Sequence, residues 1–223
     1  MEFSPAIVAR VTARQGRLHA NEHLSGPRTA LVVIDMQNYF MKPGYQGEVA
    51  AARPTVPAVN RLAAALRAAG GLVVWIQTTA DGADKSWRHH HGQMLTPERS
   101  ARRLRELASG SEGYALWSEL DVQPQDLAVV KRRYSALIAG SSNLEAELRG
   151  RGIDTLLVAG TATNVCCEST ARDAMMLDFN TVMVADCLSA FTPEEHQQSL
   201  EHFMLFFGDV LESHQIIAFL ASS

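Results

Sequence analysis

The sequence predicts an α/β fold: a three-layer α/β/α sandwich with a central, mostly parallel sheet of Rossmann-type topology. Two observations predict it. Short runs rich in Val, Ile and Leu recur along the chain at strand length, and segments with apolar residues at helical spacing lie between them. This alternation is typical of βαβ units, in which helices cover both faces of a parallel sheet. With 223 residues, 47% of them hydrophobic, the chain is long enough to bury one core of this kind.

Five β-strands are predicted, each free of Pro. They are Ala30 to Asp35, Leu72 to Gln77, Leu127 to Lys131, Thr155 to Ala159 and Thr181 to Ala185. We predict that all five belong to a single domain over residues 30–223, which follows an N-terminal arm over residues 1–29.

A crossover helix is predicted between the first two strands. Pro54 and Pro57 suit a first helical turn, and Gly70 with Gly71 ends the segment. Apolar residues between these limits keep the i, i+3, i+4 spacing of one helix face. They are Val59, Leu62, Leu66 and Ala69.

Three later segments are also predicted to be helices. Ser142 and Asn143 can cap the first of them, and Thr192 with Glu195 has the spacing of a capping box before the last. The segments are Leu144 to Arg149, about Asn164 to Leu177, and the residues after Thr192. The region from Thr78 to Gln125 is polar, rich in Arg and interrupted by Gly, and we predict loops and a helix over the sheet edge there.

Composition restricts the class of partner. The formal charge is −4, the isoelectric point is about 6.1, and no long run of one sign occurs. These features argue against a nucleic-acid or membrane partner and favour a small-molecule substrate. No apolar run approaches the roughly 20 residues that span a bilayer.

The cysteine content and the N-terminus indicate a cytoplasmic protein. Cys166, Cys167 and Cys187 are odd in number and two are adjacent, which suits free thiols better than a disulfide framework. The N-terminal segment lacks the apolar core of a signal peptide.

Three reactive side chains lie at predicted strand ends, where open α/β sheets bind their ligands. Asp35 closes the first strand, Lys131 closes the third, and Cys166 follows the fourth by a short turn that opens a helix. Each has an ordinary structural alternative: a turn-forming Asp, a Lys solvated with its Arg neighbours, or a small core Cys.

Together, the three residues predict an acyl-transfer site. The positive end of a helix dipole would favour the thiolate of Cys166. A carboxylate can accept the thiol proton, while an ammonium holds developing charge or donates a proton to a leaving nitrogen. Backbone N–H groups of the same turn can bind an oxyanion.

The sequence resembles the isochorismatase-like cysteine hydrolases in three motifs. They are Leu-Val-Val-Ile-Asp35-Met-Gln-Asn-Tyr-Phe40, Val-Val-Lys131-Arg-Arg-Tyr-Ser135 and Gly160-Thr-Ala-Thr-Asn-Val-Cys166-Cys-Glu-Ser-Thr170. Within that superfamily the motifs are most similar to ureidoacrylate amidohydrolases and to biuret, triuret and N-carbamoylsarcosine hydrolases. The resemblance covers nearly the whole chain from about Ala30 to Leu220.

The resemblance implies a site as well as an activity. It implies that Asp35 is a base, Lys131 its partner and Cys166 the nucleophile. It also implies a cis peptide bond between Thr161 and Ala162, with the N–H groups of Ala162 and Cys166 as the oxyanion hole. Substrate-binding roles are implied for Asn38, Phe40, Gln77 and Tyr134, although Phe40 could be core and Gln77 a strand-end cap.

No metal or other cofactor is expected. Nicotinamidases of the resembled family hold a metal through an Asp-x-His pair after the second strand, whereas this chain reads Gln77-Thr-Thr-Ala-Asp81 there. His89, His90 and His91 are consecutive and lack the spacing of a zinc ligand set. We interpret them as a solvated loop with one His at the pocket rim.

The leading hypothesis is hydrolysis of a linear C–N bond in a small amide, ureide or carbamoyl compound through a Cys thioester. The alternatives are a vinyl-ether hydrolase of the isochorismatase type, a nicotinamidase-like amidase without the usual metal site, and a non-catalytic binding protein on the same fold. Members of the resembled family commonly bury surfaces between subunits, which implies a homotetramer here.

Overall fold

The fold is a six-stranded parallel sheet between two layers of helices, and the predicted fold class is confirmed. A computed structural model describes residues 3–221. The strands are β1 (Thr29–Ile34), β2 (Leu72–Thr78), β3 (Leu127–Lys131), β4 (Thr155–Thr161), β5 (Asn180–Ser189) and β6 (Asp209–Leu211). Their order across the sheet is β3-β2-β1-β4-β5-β6, and every neighbouring pair is parallel.

The helices cover both faces of this sheet. They are α1 (Pro5–Gln15), α2 (Asn38–Met41), α3 (Val56–Ala68), α4 (Ala83–Ser86), α5 (Pro97–Glu106), α6 (Leu144–Gly150), α7 (Glu168–Met176), α8 (Pro193–Phe206) and α9 (Ser213–Ala221). Short 3₁₀ segments occur at Gly26–Arg28 and Ala50–Thr55, and π-helical turns occur at His90–Met94 and Thr163–Cys167. None of the helices within residues 3–221 is long and apolar enough to cross a membrane.

Residues of β1 alternate between two hydrophobic cores, which explains why the strand is a continuous apolar run. Val32 and Ile34 belong to one core and Leu31 and Val33 to the other, and all four are at most 1% exposed. A strand buried on both faces is expected in the middle of a parallel sheet covered by helices.

Three features of the sheet and helices differ from the prediction. Strand β6 was not predicted, because its three residues are too few to stand out as an apolar run. Strand β5 continues past the predicted end at Ala185 to Ser189, and the predicted helix from Asn164 begins instead as the π-helical turn before α7. The capping box of Thr192 and Glu195 is present at the start of α8.

The segment predicted as an N-terminal arm packs on the core. Helix α1 lies against α8, and Val11 is 1% exposed. At its end, Arg14 donates a hydrogen bond to the carbonyl of Met204 at 3.3 Å.

A glycine brings β1 and β4 close together where both strands end. Gly160 pairs with Ile34 and has a φ of +110°. A Cβ at this position would lie 2.0 Å from the Ile34 carbonyl oxygen, which is well inside contact distance. Only Gly fits there, because other residues would meet both the steric clash and an unfavourable backbone conformation.

Candidate active site

Four neighbouring strands end at the site. In the order β3-β2-β1-β4, the residues at or just after these ends are Lys131, Thr78, Asp35 and the turn that holds Cys166. Lys131 and Asp35 are therefore separated by one strand, β2. Thr78 is paired with Lys131 in the register of the sheet, so its side chain occupies the space between them.

Buried hydrogen bonds join the first three side chains. The Lys131 Nζ donates to Asp35 Oδ2 at 2.8 Å, to Thr78 Oγ1 at 2.6 Å and to the Arg133 carbonyl at 3.1 Å. Thr78 in turn donates to Asp35 Oδ1 at 2.7 Å. Lys131 and Asp35 are both 0% exposed. All three protons of the ammonium are thus occupied, as a buried charge requires.

The ammonium of Lys131 keeps its proton in this environment. Burial alone would lower its pKa, but the negative charge of Asp35 and the hydrogen bond to it act in the opposite direction, and the pKa is raised. The group is therefore a positive charge held beside Asp35 at neutral pH.

Cys166 lies beside both of these charged groups, on the wall of a cavity. Its thiol is near enough for the charges of Asp35 and Lys131 to act on its pKa, and the residue is 6% exposed. The peptide bond between Thr161 and Ala162, just before its turn, is cis. Asp35 itself has a φ of +57°, in the left-handed region that Asp tolerates better than most residues.

The expectation that the turn would favour a thiolate is wrong. Burial raises the pKa of Cys166 to about 12; Lys131 opposes this shift and Asp35 adds to it. The physical reason is that the thiol is removed from water and lies beside a carboxylate, and these effects outweigh a short π-helical turn. The resting side chain is therefore a neutral thiol beside a carboxylate.

We expect alkylation of Cys166 to report this raised pKa. Below the pKa the thiolate fraction increases tenfold per pH unit, so the rate of iodoacetamide labelling should increase about tenfold per unit from pH 6.5 to 9. Peptide mass spectrometry would separate Cys166 from Cys167 and Cys187, and a free thiol of ordinary pKa, near 8.5, serves as the standard. A rate that levels off below pH 8 would mean that a thiolate is already formed at rest.

A cavity of about 210 Å³ opens above these residues. It is smaller than the roughly 300 Å³ or more of drug-sized sites, so it suits a small molecule. Its wall includes Lys131, Cys166, Ala162 and Thr78. The remaining lining residues are Tyr39, Phe40, Gln46, Gly47, Val49, His90, Leu95, Arg99, Arg103, Arg133, Tyr134, Val165 and Phe191.

Two of the four predicted substrate contacts line this cavity and two do not. Phe40 and Tyr134 are on its wall. The Asn38 amide instead donates to the Glu112 carbonyl at 2.9 Å, and the Gln77 amide donates to the Tyr114 carbonyl at 2.9 Å. Both amides hold the loop that precedes β3, which explains why the structure does not bring them to the cavity.

The prediction of a solvated loop for the three consecutive histidines is wrong for two of them. His90 and His91 are 6% and 4% exposed. The ring of His90 stacks on Trp87 at 4.2 Å between centroids, and His91 Nδ1 is 2.9 Å from Ser100 Oγ. Stacking on an aromatic ring buries a His that sequence reasoning treats as polar. Residues 3–221 contain no group of three or more His, Cys, Asp or Glu side chains that could hold a metal ion.

The loops around the site are fixed by buried polar residues that sequence reasoning missed. Gln37 is 0% exposed, and its side chain both accepts from the Thr78 N–H at 2.8 Å and donates to the Thr78 carbonyl at 3.1 Å. Thr170 donates to the Cys166 carbonyl at 2.7 Å and accepts from the Ala136 N–H at 3.1 Å. These bonds tie the ends of β1 and β2 together and join the Cys166 turn to the loop after Lys131.

Comparisons with known proteins agree over most of the chain. The sequence matches the isochorismatase domain family over residues 29–215. It is 38% identical to the ureidoacrylate amidohydrolase RutB of Stutzerimonas stutzeri over 199 residues, covering 83% of this chain and 79% of that protein.

Solved structures with a similar fold include further hydrolases. A cysteine hydrolase from Pseudomonas syringae pv. phaseolicola has a TM-score of 0.79 and 28% identity, covering 89% of this chain and 95% of that one. N-carbamoylsarcosine amidase from Thermoplasma acidophilum has a TM-score of 0.64 and 25% identity, covering 83% of this chain and 96% of that one. These similarities extend over most of the chain and are not restricted to one motif.

Proposed function

We propose, from the premise that this chain belongs to the isochorismatase family, that it is a cysteine amidohydrolase. It cleaves a linear C–N bond in a small amide, ureide or carbamoyl compound and releases ammonia or an amine. Cys166 is the nucleophile, Asp35 the base and Lys131 the partner of that base. The observation that carries this proposal is the position of the Cys166 thiol on the cavity wall beside the buried Asp35–Lys131 pair.

The first half of the reaction forms a thioester. Asp35 accepts the proton of the Cys166 thiol as the sulfur attacks the substrate carbonyl carbon, and the carbonyl oxygen becomes an oxyanion. The N–H groups of Ala162 and Cys166 are proposed to bind this oxyanion. When the intermediate collapses, the C–N bond breaks and the protonated Asp35 gives its proton to the leaving nitrogen.

The second half consumes one water molecule. Asp35, again a carboxylate, takes a proton from the water as its oxygen attacks the thioester carbon. Collapse then expels the sulfur, which recovers its proton from Asp35, and the acid product leaves. The charge of Lys131 stabilises Asp35 and the sulfur as negative charge moves between them.

The protonated state of Cys166 supports the role of Asp35. Because burial raises the pKa of the thiol to about 12, few thiolates exist at neutral pH and a base must act during the attack. Asp35 is the carboxylate beside the thiol, which supports its role as that base.

A substrate panel tests the proposal. Purified protein is given ureidoacrylate, N-carbamoylsarcosine, biuret and nicotinamide, and ammonia release is measured with isochorismate as a separate vinyl-ether substrate. Release of ammonia or an amine, together with a covalent acyl or carbamoyl mass on the Cys166 peptide after an acid quench, supports the proposal. Turnover of isochorismate alone, or turnover without any adduct on Cys166, contradicts it.

Assembly and location are further parts of the proposal. The protein acts as a homotetramer. It acts in the cytoplasm, and this location is supported by the three cysteines, which are all free and buried. Sedimentation of a single species near 24 kDa, the mass of one chain, would contradict the tetramer.

A further inference from the structure

The charged side chains that line the cavity all have one sign. They are Arg99, Arg103, Lys131 and Arg133, and the lining includes no Asp or Glu. This bias runs against the chain as a whole, whose formal charge is −4. Lys131 is compensated by Asp35, so the excess positive charge comes from the three arginines. A cavity of this kind concentrates small anions.

Among the three arginines, Arg103 is the one with a buried side-chain nitrogen that has no hydrogen-bond partner in the described part of the chain. This nitrogen is the Nε, and the guanidinium makes no ion pair within residues 3–221. The acidic side chain one turn further along α5, Glu106, accepts instead from Arg102 at 2.6 Å. The Arg103 guanidinium lies over the Tyr39 ring, 5.8 Å from its centroid. An aromatic ring holds the cation in position and leaves its N–H groups available.

The other two arginines are less suited to bind an anion. The terminal nitrogens of Arg133 donate to the carbonyls of Arg132 and Ser86, at 2.8 Å and 2.7 Å. Arg99 is exposed at the rim, where water screens its charge. Arg103 is therefore the side chain that can offer a planar pair of N–H donors to a carboxylate.

Two neutral side chains of the cavity lining, His90 and Gln46, also carry a buried polar atom without a hydrogen-bond partner in the described part of the chain. These atoms are the Nδ1 of His90 and the Oε1 of Gln46. Burial, aided by the charges of Arg103 and His91, lowers the pKa of His90 to about 4, so its ring is neutral at pH 7. The charge of Arg103 also acts at Cys166, where it favours the thiolate.

From these observations we infer that Arg103 is a specificity-determining residue that binds a carboxylate on the substrate. The substrate class is then a small amide or ureide acid, with the scissile carbonyl at Cys166 and a carboxylate on Arg103. The cavity of about 210 Å³ allows only a short spacer between the two groups. This inference deepens the proposed function and rests on it.

The test compares each acid with its neutral methyl ester, which has the same scissile bond. The pairs are ureidoacrylate and N-carbamoylsarcosine with their methyl esters. We expect wild-type kcat/KM to favour each acid by about 100-fold, the size expected for a bidentate charge-assisted pair. Arg103→Gln should remove this preference mainly by raising KM for the acids, while kcat/KM for the esters should change less than about threefold. Arg103→Lys, which keeps the charge but not the planar fork, should restore part of it.

Arg105→Gln is the matched control, because Arg105 lies on the same helix, is exposed and does not line the cavity. It should behave as wild type. Equal use of acids and esters by the wild type, or an equal loss on both in Arg103→Gln, would overturn the inference while leaving the amidohydrolase proposal intact.

If no compound is hydrolysed, a binding measurement distinguishes failure of the amidohydrolase proposal from failure of the inference about Arg103. In that case the proposed function fails, and calorimetry on Cys166→Ala with the same pairs still decides the role of Arg103. Tighter binding of the acids that is lost in Cys166→Ala/Arg103→Gln supports a carboxylate site. Equal affinity for acid and ester contradicts it.

Discussion

Replacement of Cys166 by Ala is expected to lower kcat by at least about 10⁴-fold, because removal of a catalytic nucleophile typically costs this much or more. The thiol lies beside Asp35 and Lys131, and no other side chain on the cavity wall is a comparable nucleophile. Only one sulfur atom is lost, so the folded structure should persist and thermal unfolding should shift little. Steady-state ammonia release and the unfolding midpoint are the two measurements.

Cys167→Ser is the matched control for this variant. Cys167 is 0% exposed and does not line the cavity, and its sulfur points to the Ala159 carbonyl at 3.8 Å. Its turnover should stay within a few fold of wild type. A Cys166→Ala protein with near-normal turnover would contradict the nucleophile assignment, as would an acyl adduct found on Cys167.

Replacement of Lys131 by Arg is expected to lower turnover at least about 100-fold, or about 2.7 kcal/mol in the barrier. In the wild-type protein, the single ammonium nitrogen of Lys131 donates to Asp35, Thr78 and the Arg133 carbonyl at 2.6 to 3.1 Å. A planar guanidinium is larger and cannot direct three donors from a single atom into this fully buried space. Overpacking should also cost about 1–3 kcal/mol of stability, so kcat is measured well below the unfolding temperature.

Arg132→Lys is the control, since Arg132 is adjacent in sequence and exposed. Its replacement should cost less than about 0.5 kcal/mol of stability and leave turnover intact. Equal, mild effects at positions 131 and 132 would contradict a catalytic role for Lys131. A second readout is the alkylation rate of Cys166, which should change in Lys131→Arg and not in Arg132→Lys.

The fold could be predicted from sequence because the strands of a parallel sheet are buried on both faces. Runs such as that of β1 are continuous and apolar, and Gly or Pro lies shortly before the start of each of β1 to β4. Strand β6 could not be predicted in the same way. Three residues carry no periodicity, and their pairing with β5 is decided by tertiary contacts.

The site was predictable where a reactive residue ends an apolar strand, and not where long-range contacts determine its surroundings. Asp35 and Lys131 fall at such ends, so their meeting at one sheet edge follows from topology. The bridging position of Thr78 depends on β2 lying between β1 and β3, which periodicity does not reveal.

The position of Arg103 on the cavity wall could not be predicted for a related reason. Helix α5 has no fully buried residue and is rich in Arg, so its sequence resembles that of a solvated surface helix. The burial of His90 likewise depends on stacking with Trp87, a local contact whose geometry only the folded turn defines. Both residues lie in the region from Thr78 to Gln125, which fitted the strand–helix pattern least.

At Gly160 the backbones of β1 and β4 approach each other with no side chain between them. This approach sets the distance between the two halves of the candidate site. Asp35 follows Ile34 directly, and the turn that holds Cys166 begins just beyond Gly160, so the approach of these two chains fixes how far apart base and nucleophile lie. A methyl group at position 160 would act as a wedge between the two strands. Proton transfer depends steeply on distance. The chemistry of the site therefore depends on the absence of a Cβ at position 160 as well as on the three reactive side chains.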